Sequence, residues 1–318
     1  MSKTKMGLGL AALGRPEYIN IRDGIIPNKT LVAFRENAFS VLNFAYKQGI
    51  RYFDTAPSYG KGEQFLTNWN SKYQHMDVIL STKWGYTYVA DWELGFSGAH
   101  EVKEHSLDKL IEQWQISKKL QPALNIYQVH STTFESGVLE NKDVLNQLYE
   151  IKKQTGLQIG ITTSGLNQTE IIEAALKIQI KKEDLFDSYQ VTYNILEQAS
   201  YDILKHLLQL KKTVIIKEAL ANGRIFKNEK FSHYQKLYDV LDALAKKHQV
   251  GTDAIAIRFV MDNLEPTYLL SGASSKEQLE QNMKAQNFKL KKEELALLKL
   301  FKTAPKDYWE ERNELVWN

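Results

Sequence analysis

The alternation of short apolar runs with longer amphipathic ones constrains this chain more than any other feature. Eight runs read as strands, at residues 7–13, 51–54, 78–83, 124–130, 158–162, 188–192, 213–217 and 268–271. Apolar residues recur with helical spacing at 37–47, 63–70, 103–119, 143–154, 169–177, 201–210, 234–248, 252–263, 276–286 and 292–301. A strand, a helix and a further strand imply parallel pairing, because the crossover returns the chain to the same end of the sheet. Eight such units in 318 residues suit a closed barrel, which leaves no sheet edge exposed. The competing arrangement, an open doubly wound sheet, calls for a phosphate-binding glycine fingerprint after the first strand. Residues 7–14, GLGLAALG, carry G-x-G, but Ala12 takes the place of the third glycine and no clean helix follows. The expectation is an α/β fold: a single (β/α)8 TIM barrel over residues 1–318, with long loops at the C-terminal face and a C-terminal helical tail.

Composition narrows the function. Hydrophobic residues make up 43% and charged residues 25%, an ordinary globular balance. Lysine and arginine number 41 against 38 acidic residues, and +3 is too small a charge to imply nucleic acid or a membrane surface. The absence of cysteine excludes disulfides, thiolate metal sites and a cysteine nucleophile. No apolar stretch approaches the roughly 18 residues of a membrane span. The start, MSKTKMGLGLAALG, reads as a first strand rather than a signal peptide, and the expected location is cytoplasmic. No cluster of His, Asp and Glu has metal-ligand spacing, so no metal is expected.

Four polar residues interrupt or follow apolar strands. Asp54, Lys83 and His130 end the second, third and fourth runs, and Tyr59 lies in the loop after Asp54. Neighbouring strand ends in a barrel are about 4.8 Å apart, so the four can converge. A phenol with a pKa near 10 is a poor acid at neutral pH, and a nearby ammonium lowers that value. A carboxylate beside the lysine holds its charge in place, and an imidazole orients a substrate oxygen. Together they can protonate an oxyanion as it develops on a carbonyl. Each residue alone has a plainer use: Asp54 as a turn or cap, Lys83 in solvent, His130 as a hydrogen-bonded structural group, Tyr59 as a half-buried aromatic. Their joint placement favours the catalytic use.

The segments FDTAPSYGKGE, LSTKWG and YQVHS resemble, in order and spacing, the signatures of the aldo-keto reductases. The resemblance extends over essentially the whole chain through IGITTSG, YQVTYNILEQ, LANGR and GASSKEQLEQN. It implies an eight-stranded barrel that binds an extended nicotinamide cofactor and interconverts an aldehyde or ketone with its alcohol. Within it Tyr59 is the general acid–base, Lys83 and Asp54 its tuning pair, and His130 the group that orients the carbonyl. The same resemblance assigns cofactor contacts to Gly9, Leu10 and Asp54, to Thr162, Thr163 and Gln190 at the carboxamide, and to Lys217. It places Leu220, Gly223 and Arg224 over the pyrophosphate, and Gly272, Ser274, Gln278, Gln281 and Asn282 around the adenosine end.

This chain departs from the family pattern in places. Lys217 stands where an aromatic ring usually stacks on the nicotinamide, although a salt bridge to Glu218 or another carboxylate is its plainer use. Near the adenosine end only Lys276 offers a charge to a ribose 2′-phosphate, so NADP is the expected cofactor and NAD stays open. Six residues precede the first strand, too few for a plugging hairpin, which leaves the base to another segment or a partner. Trp84, Trp92 and Phe96 are candidates for an apolar substrate wall, with rim packing the alternative use. Tyr308, Trp309 and Trp317 place a helical tail either over the active site or on the barrel's outside. The expected partner is a small carbonyl or alcohol, and the expected state a monomer or small homo-oligomer. A cofactor-binding regulatory module on the same barrel, with little turnover, is the second reading.

Overall fold

Most of the eight runs are rich in β-branched and aromatic residues, which suit strands, although the first, GLGLAAL, has neither. The computed structural model describes residues 4–19, 21 and 28–317. Residues 20 and 22–27 lie outside the described residues, as do residues 1–3 ahead of the first strand. The strands are β1 (Lys5–Gly9), β2 (Tyr52–Asp54), β3 (Ile79–Trp84), β4 (Leu124–Val129), β5 (Gln158–Thr162), β6 (Ser188–Thr192), β7 (Thr213–Lys217) and β8 (Tyr268–Ser271). All are parallel, and they close in the order β1-β8-β7-β6-β5-β4-β3-β2. The expected eight-stranded barrel is therefore the observed one.

Several boundaries differ, among them the first helix, which spans Leu31–Lys47 rather than 37–47, and two differ for reasons the periodicity does not carry. β1 ends at Gly9 rather than 13, because Leu13 and Gly14 both donate their N–H to Leu10 O and turn the chain. The expected helix at 103–119 begins only at Leu107, capped by Ser106 Oγ on Lys109 N at 3.1 Å. Residues Glu101–Lys103 instead pair antiparallel with Tyr86–Tyr88, so the loop after β3 is partly a β-ribbon. Pairing across a dozen residues is non-local and leaves no helical or strand period to read.

Strand alternation sorts the barrel interior into layers. The lower layer is apolar: Tyr52, Ile126, Ile215, Tyr268 and Leu270, with Tyr52 and Tyr268 stacked at 4.1 Å. Two residues further along β2 and β4 the inward positions become Asp54 and Gln128, joined by Ser81 and Gln190. Outward faces bury against helices. The helix Gly62–Tyr73, for example, buries Phe65, Leu66 and Trp69, each worth roughly 1.5–3 kcal/mol.

The tail lies across the C-terminal face. Helix Pro305–Asn313 buries Tyr308, whose hydroxyl accepts from Asn194 Nδ2 at 2.9 Å. Beyond it Trp317 packs on His100 at 4.2 Å and under the Arg15 guanidinium at 4.6 Å. Among the described residues no helix is long and apolar enough to cross a membrane.

Candidate active site

β2 and β3 deliver Asp54 and Lys83 to the same point inside the barrel. Lys83 Nζ lies 2.5 Å from Asp54 Oδ2 and donates to Thr55 O at 2.9 Å, with both side chains almost fully buried. The other carboxylate oxygen accepts from Ser81 Oγ at 3.0 Å and Gln190 Nε2 at 2.9 Å, with Gln128 Nε2 at 3.4 Å. A buried ion pair survives only when its remaining lone pairs are satisfied, and this polar layer supplies the donors.

The loop after β2 then sets Tyr59 above the pair. Lys83 Nζ is 4.6 Å from the centre of the Tyr59 ring, and the Arg15 guanidinium is 5.2 Å from it on another side. The ring meets His130 edge-on at 5.6 Å. Tyr59 and His130 are half-buried and border the mouth. His130 is held from both ends: His105 Nε2 donates to its backbone O at 2.9 Å, and Ser58 Oγ sits 3.4 Å from its Nδ1. Among the described residues no group of His, Asp and Glu is arranged to hold a metal.

The electrostatics correct one expectation. Burial first, and the Asp54 carboxylate second, push the Tyr59 phenol well above its ordinary value, with Arg15 pulling the other way. The nearby Lys83 does not reverse this. Tyr59 is therefore a firmly protonated phenol at neutral pH. Burial, then Lys83 and Lys217, hold His130 well below its ordinary value, so the imidazole is neutral.

The Tyr59 loop depends on a close backbone approach. A Cβ at Gly14 would stand 2.2 Å from Tyr59 O and 2.5 Å from Gly62 Cα, and Gly14 O accepts from Lys61 N at 2.7 Å. Gly14→Ala is expected to cost about 1–3 kcal/mol in chemical denaturation, because both clashing atoms are backbone. An unchanged midpoint would show that the loop moves freely.

Behind β3, on the outward face, Thr82 and Ser117 hydroxyls donate to Glu63, the latter at 2.9 Å. Burial raises Glu63 to about 7, against the pull of those two hydrogen bonds. A carboxyl with a raised folded pKa favours the folded state most below its ordinary value of 4.5, and that contribution is lost as pH rises towards 7. Glu63→Gln is expected to stabilise the protein by roughly 2–3 kcal/mol at pH 8 and by little near pH 4. Urea unfolding at the two pH values checks this, and an equal effect at both would refute it.

The expected cofactor residues divide into two groups. At the carboxamide end the polar groups are already engaged: Gln190 donates to Asp54, and Thr162 Oγ1 accepts from Ser131 N at 2.7 Å. Thr163 and Leu10 expose no surface. Arg224, expected over the pyrophosphate, is instead buried beneath the tail, where it stacks on Tyr308 at 4.1 Å and donates to Tyr308 O and Glu311. Asn282 is likewise buried, donating to Ser271 Oγ at 2.9 Å. The far end is open. A Cβ at Gly272 would meet nothing within 4 Å, while Ser274, Lys276, Gln278 and Gln281 lie at or near the surface beside the start of helix Lys276–Met283. Gly9 and Leu220 are half-buried, and Gly223, with φ +92°, is buried in a left-handed turn. The residues present fit a phosphate-bearing group at this open end.

The aromatic candidates also separate. Trp84, expected on a pocket wall, is fully buried and packs against His105 at 5.4 Å, so it belongs to the core. Trp92 donates to Lys29 O at 2.7 Å and meets Phe34 edge-on, which is rim packing. Phe96 packs on His100 at 5.6 Å. Lys217 makes neither an aromatic stack nor an ion pair with Glu218: its Nζ donates to Ser164 Oγ at 2.8 Å, and Glu218 pairs with Arg312. Sequence reasoning missed Ser81 and Gln128, although counting back two residues from Lys83 and His130 along an alternating strand finds both. It also missed Arg15, Ser58 and His105, which no local period marks.

The model of the aldo/keto reductase family matches residues 5–301. The chain is 24% identical over 305 residues to the aldo-keto reductase YhdN of Bacillus subtilis, covering 87% of this chain and 83% of that protein. It is 23% identical over 330 residues to the NADH-specific methylglyoxal reductase of Escherichia coli, covering 93% and 94%. Among solved structures, an aldo-keto reductase of Bacillus halodurans in its holo form superposes with a TM-score of 0.67 at 19% identity, over 94% of this chain and 92% of that one.

Proposed function

The chain belongs to the aldo/keto reductase family, an oxidoreductase family, and from that premise we propose that it is an NAD(P)H-dependent reductase interconverting an aldehyde or ketone with its alcohol. The observation that carries this reading is the buried Lys83–Asp54 pair 4.6 Å beneath the Tyr59 ring, with a neutral His130 beside it. When bound, the nicotinamide supplies the hydride. With Ser58 donating to His130 Nδ1, Nε2 carries the ring hydrogen and donates it to the substrate oxygen. As negative charge grows on that oxygen, the Tyr59 phenol gives up its proton. Lys83 and Arg15, close to the ring, favour the phenolate that remains.

NADP is the cofactor we propose, with Gly272, Ser274, Gln278 and Gln281 at the adenosine end and Lys276 as the charge for a 2′-phosphate. The name of the Escherichia coli relative makes NADH the comparison to run in parallel. Tryptophan fluorescence titration with both nucleotides, followed by turnover on a panel of small aldehydes and ketones, tests the reading. Binding of a reduced nucleotide with turnover on the panel is expected. Equal, weak binding of both nucleotides would count against the cofactor assignment. Tight binding without turnover would favour a regulatory cofactor-binding module, a reading supported by the engagement of Gln190 with Asp54 and the lysine at 217.

A further inference from the structure

Arg15 reaches Tyr59 from outside the four convergent residues. The loop after β1 carries it into the barrel mouth, where its guanidinium lies 5.2 Å from the Tyr59 ring centre and its side chain is 3% exposed. A buried guanidinium is costly unless it is paired and covered. Glu101 Oε1 accepts from Arg15 Nη1 at 2.7 Å, and Ser58 O accepts from the same nitrogen at 3.3 Å. The rings of Trp317 and Tyr18 lie 4.6 and 4.9 Å from the guanidinium.

Local geometry aims both long-range partners. In the β-ribbon Tyr86 pairs with Lys103 and Tyr88 with Glu101, so these four side chains share one face. Tyr86 packs that face against the His130 ring at 4.9 Å, which turns Glu101 towards the mouth. The intervening pair, Thr87 and Val102, points the other way, and Val102 is exposed. Trp317 is set by a backbone bridge to Ile19, just past Arg15 in the chain, and by its packing on His100.

We propose that Glu101 and Trp317 are positioning residues for proton transfer that act through Arg15: the ribbon and the tail hold the guanidinium against the Tyr59 ring, where its charge favours the phenolate that the reaction leaves. The inference rests on the reductase reading and extends it from the strand ends to the ribbon and the tail. The charges around the phenol agree with it. Burial first, then Asp54, raise Tyr59; Arg15 lowers it, while Glu101 and Glu218 act upward. Lys83 and a neutral His130 also face the ring, and the nearby Tyr18 and Tyr52 phenols are themselves raised by burial. Glu101 therefore both fixes Arg15 and opposes it. Removing Arg15 raises the phenol further, and removing the Glu101 charge lowers it.

The test follows single turnovers of butanal, glyceraldehyde and 4-nitrobenzaldehyde, and of the alcohol of whichever reacts fastest, by stopped flow. Rate constants at saturating nucleotide do not depend on the folded fraction. Arg15→Met is expected to slow reduction by about 10- to 100-fold, the effect of one or two pK units on an acid, with KM within a few-fold. Trp317→Ala should slow it by about 5- to 20-fold and Trp317→Phe by less than about two-fold, while Trp317→Ala added to Arg15→Met should cost almost nothing more. Glu101→Gln keeps an acceptor for Arg15 but removes the charge. Alcohol oxidation at about pH 8, where the phenolate is the scarce form, should therefore speed up in Glu101→Gln and slow down in Arg15→Met, both differences narrowing as pH rises. Additive losses from Arg15 and Trp317, or oxidation rates that change in the same direction in Glu101→Gln and Arg15→Met, would overturn this inference alone. No turnover of any of the three aldehydes by the wild type would remove the reductase reading and this inference with it.

Discussion

Tyr59→Phe is expected to lower the turnover of a carbonyl substrate by about 10²–10⁴-fold while leaving reduced-nucleotide affinity within a few-fold. The variant removes one oxygen and keeps the ring, so the contacts with Lys83 and Arg15 and the edge-on packing with His130 persist. Only the proton source is lost. Burial and Asp54 hold the phenol well above its ordinary pKa, so the acid form stays populated through neutral and mildly alkaline pH. The reduction rate of the wild type should accordingly be flat across that range with a neutral substrate. Stopped-flow measurement of nucleotide oxidation separates the chemical step from binding. A variant that retains most of the wild-type rate would show that water or another side chain delivers the proton.

Lys83→Met is expected to destabilise the protein by about 3–5 kcal/mol, because it leaves the Asp54 carboxylate buried without its counter-charge. Asp54 keeps its hydrogen bonds from Ser81 and Gln190, but neutral donors do not replace an ammonium at 2.5 Å. Adding Asp54→Asn should recover a substantial part of the loss, since the double variant buries no charge. Urea denaturation of the two single variants and the double one measures the coupling. Strictly additive losses would mean that the pair is not coupled in the folded state. Turnover should fall in the two variants that lack Lys83, because the cation beneath Tyr59 favours the phenolate left after proton transfer.

Much of this was legible in the chain itself. Residues 158–162, 188–192, 213–217 and 268–271 match their strands to the residue, because those short runs are largely apolar and set off by polar or turn-forming neighbours. Asp54, Lys83 and His130 stood out because a charged or polar group at the end of an apolar run breaks the pattern that burial would select. What the pattern did not reveal was how each group is used. Arg224 and Trp84 read as ligand contacts by position, yet the tail covers one and the core encloses the other. Tyr59 read as a phenol lowered by a neighbouring lysine, yet burial and a carboxylate raise it.

The sequence by itself determined the barrel and the convergence of Asp54, Tyr59, Lys83 and His130, because both follow from period, alternation and strand order, which are properties of adjacent residues. Only the tertiary structure decided which charges cancel, which side chains stay accessible, and that Glu218 pairs with Arg312 rather than with its neighbour Lys217. Those outcomes depend on desolvation and on contacts between residues far apart in the chain, such as Arg312 with Glu218, and no local spacing encodes them.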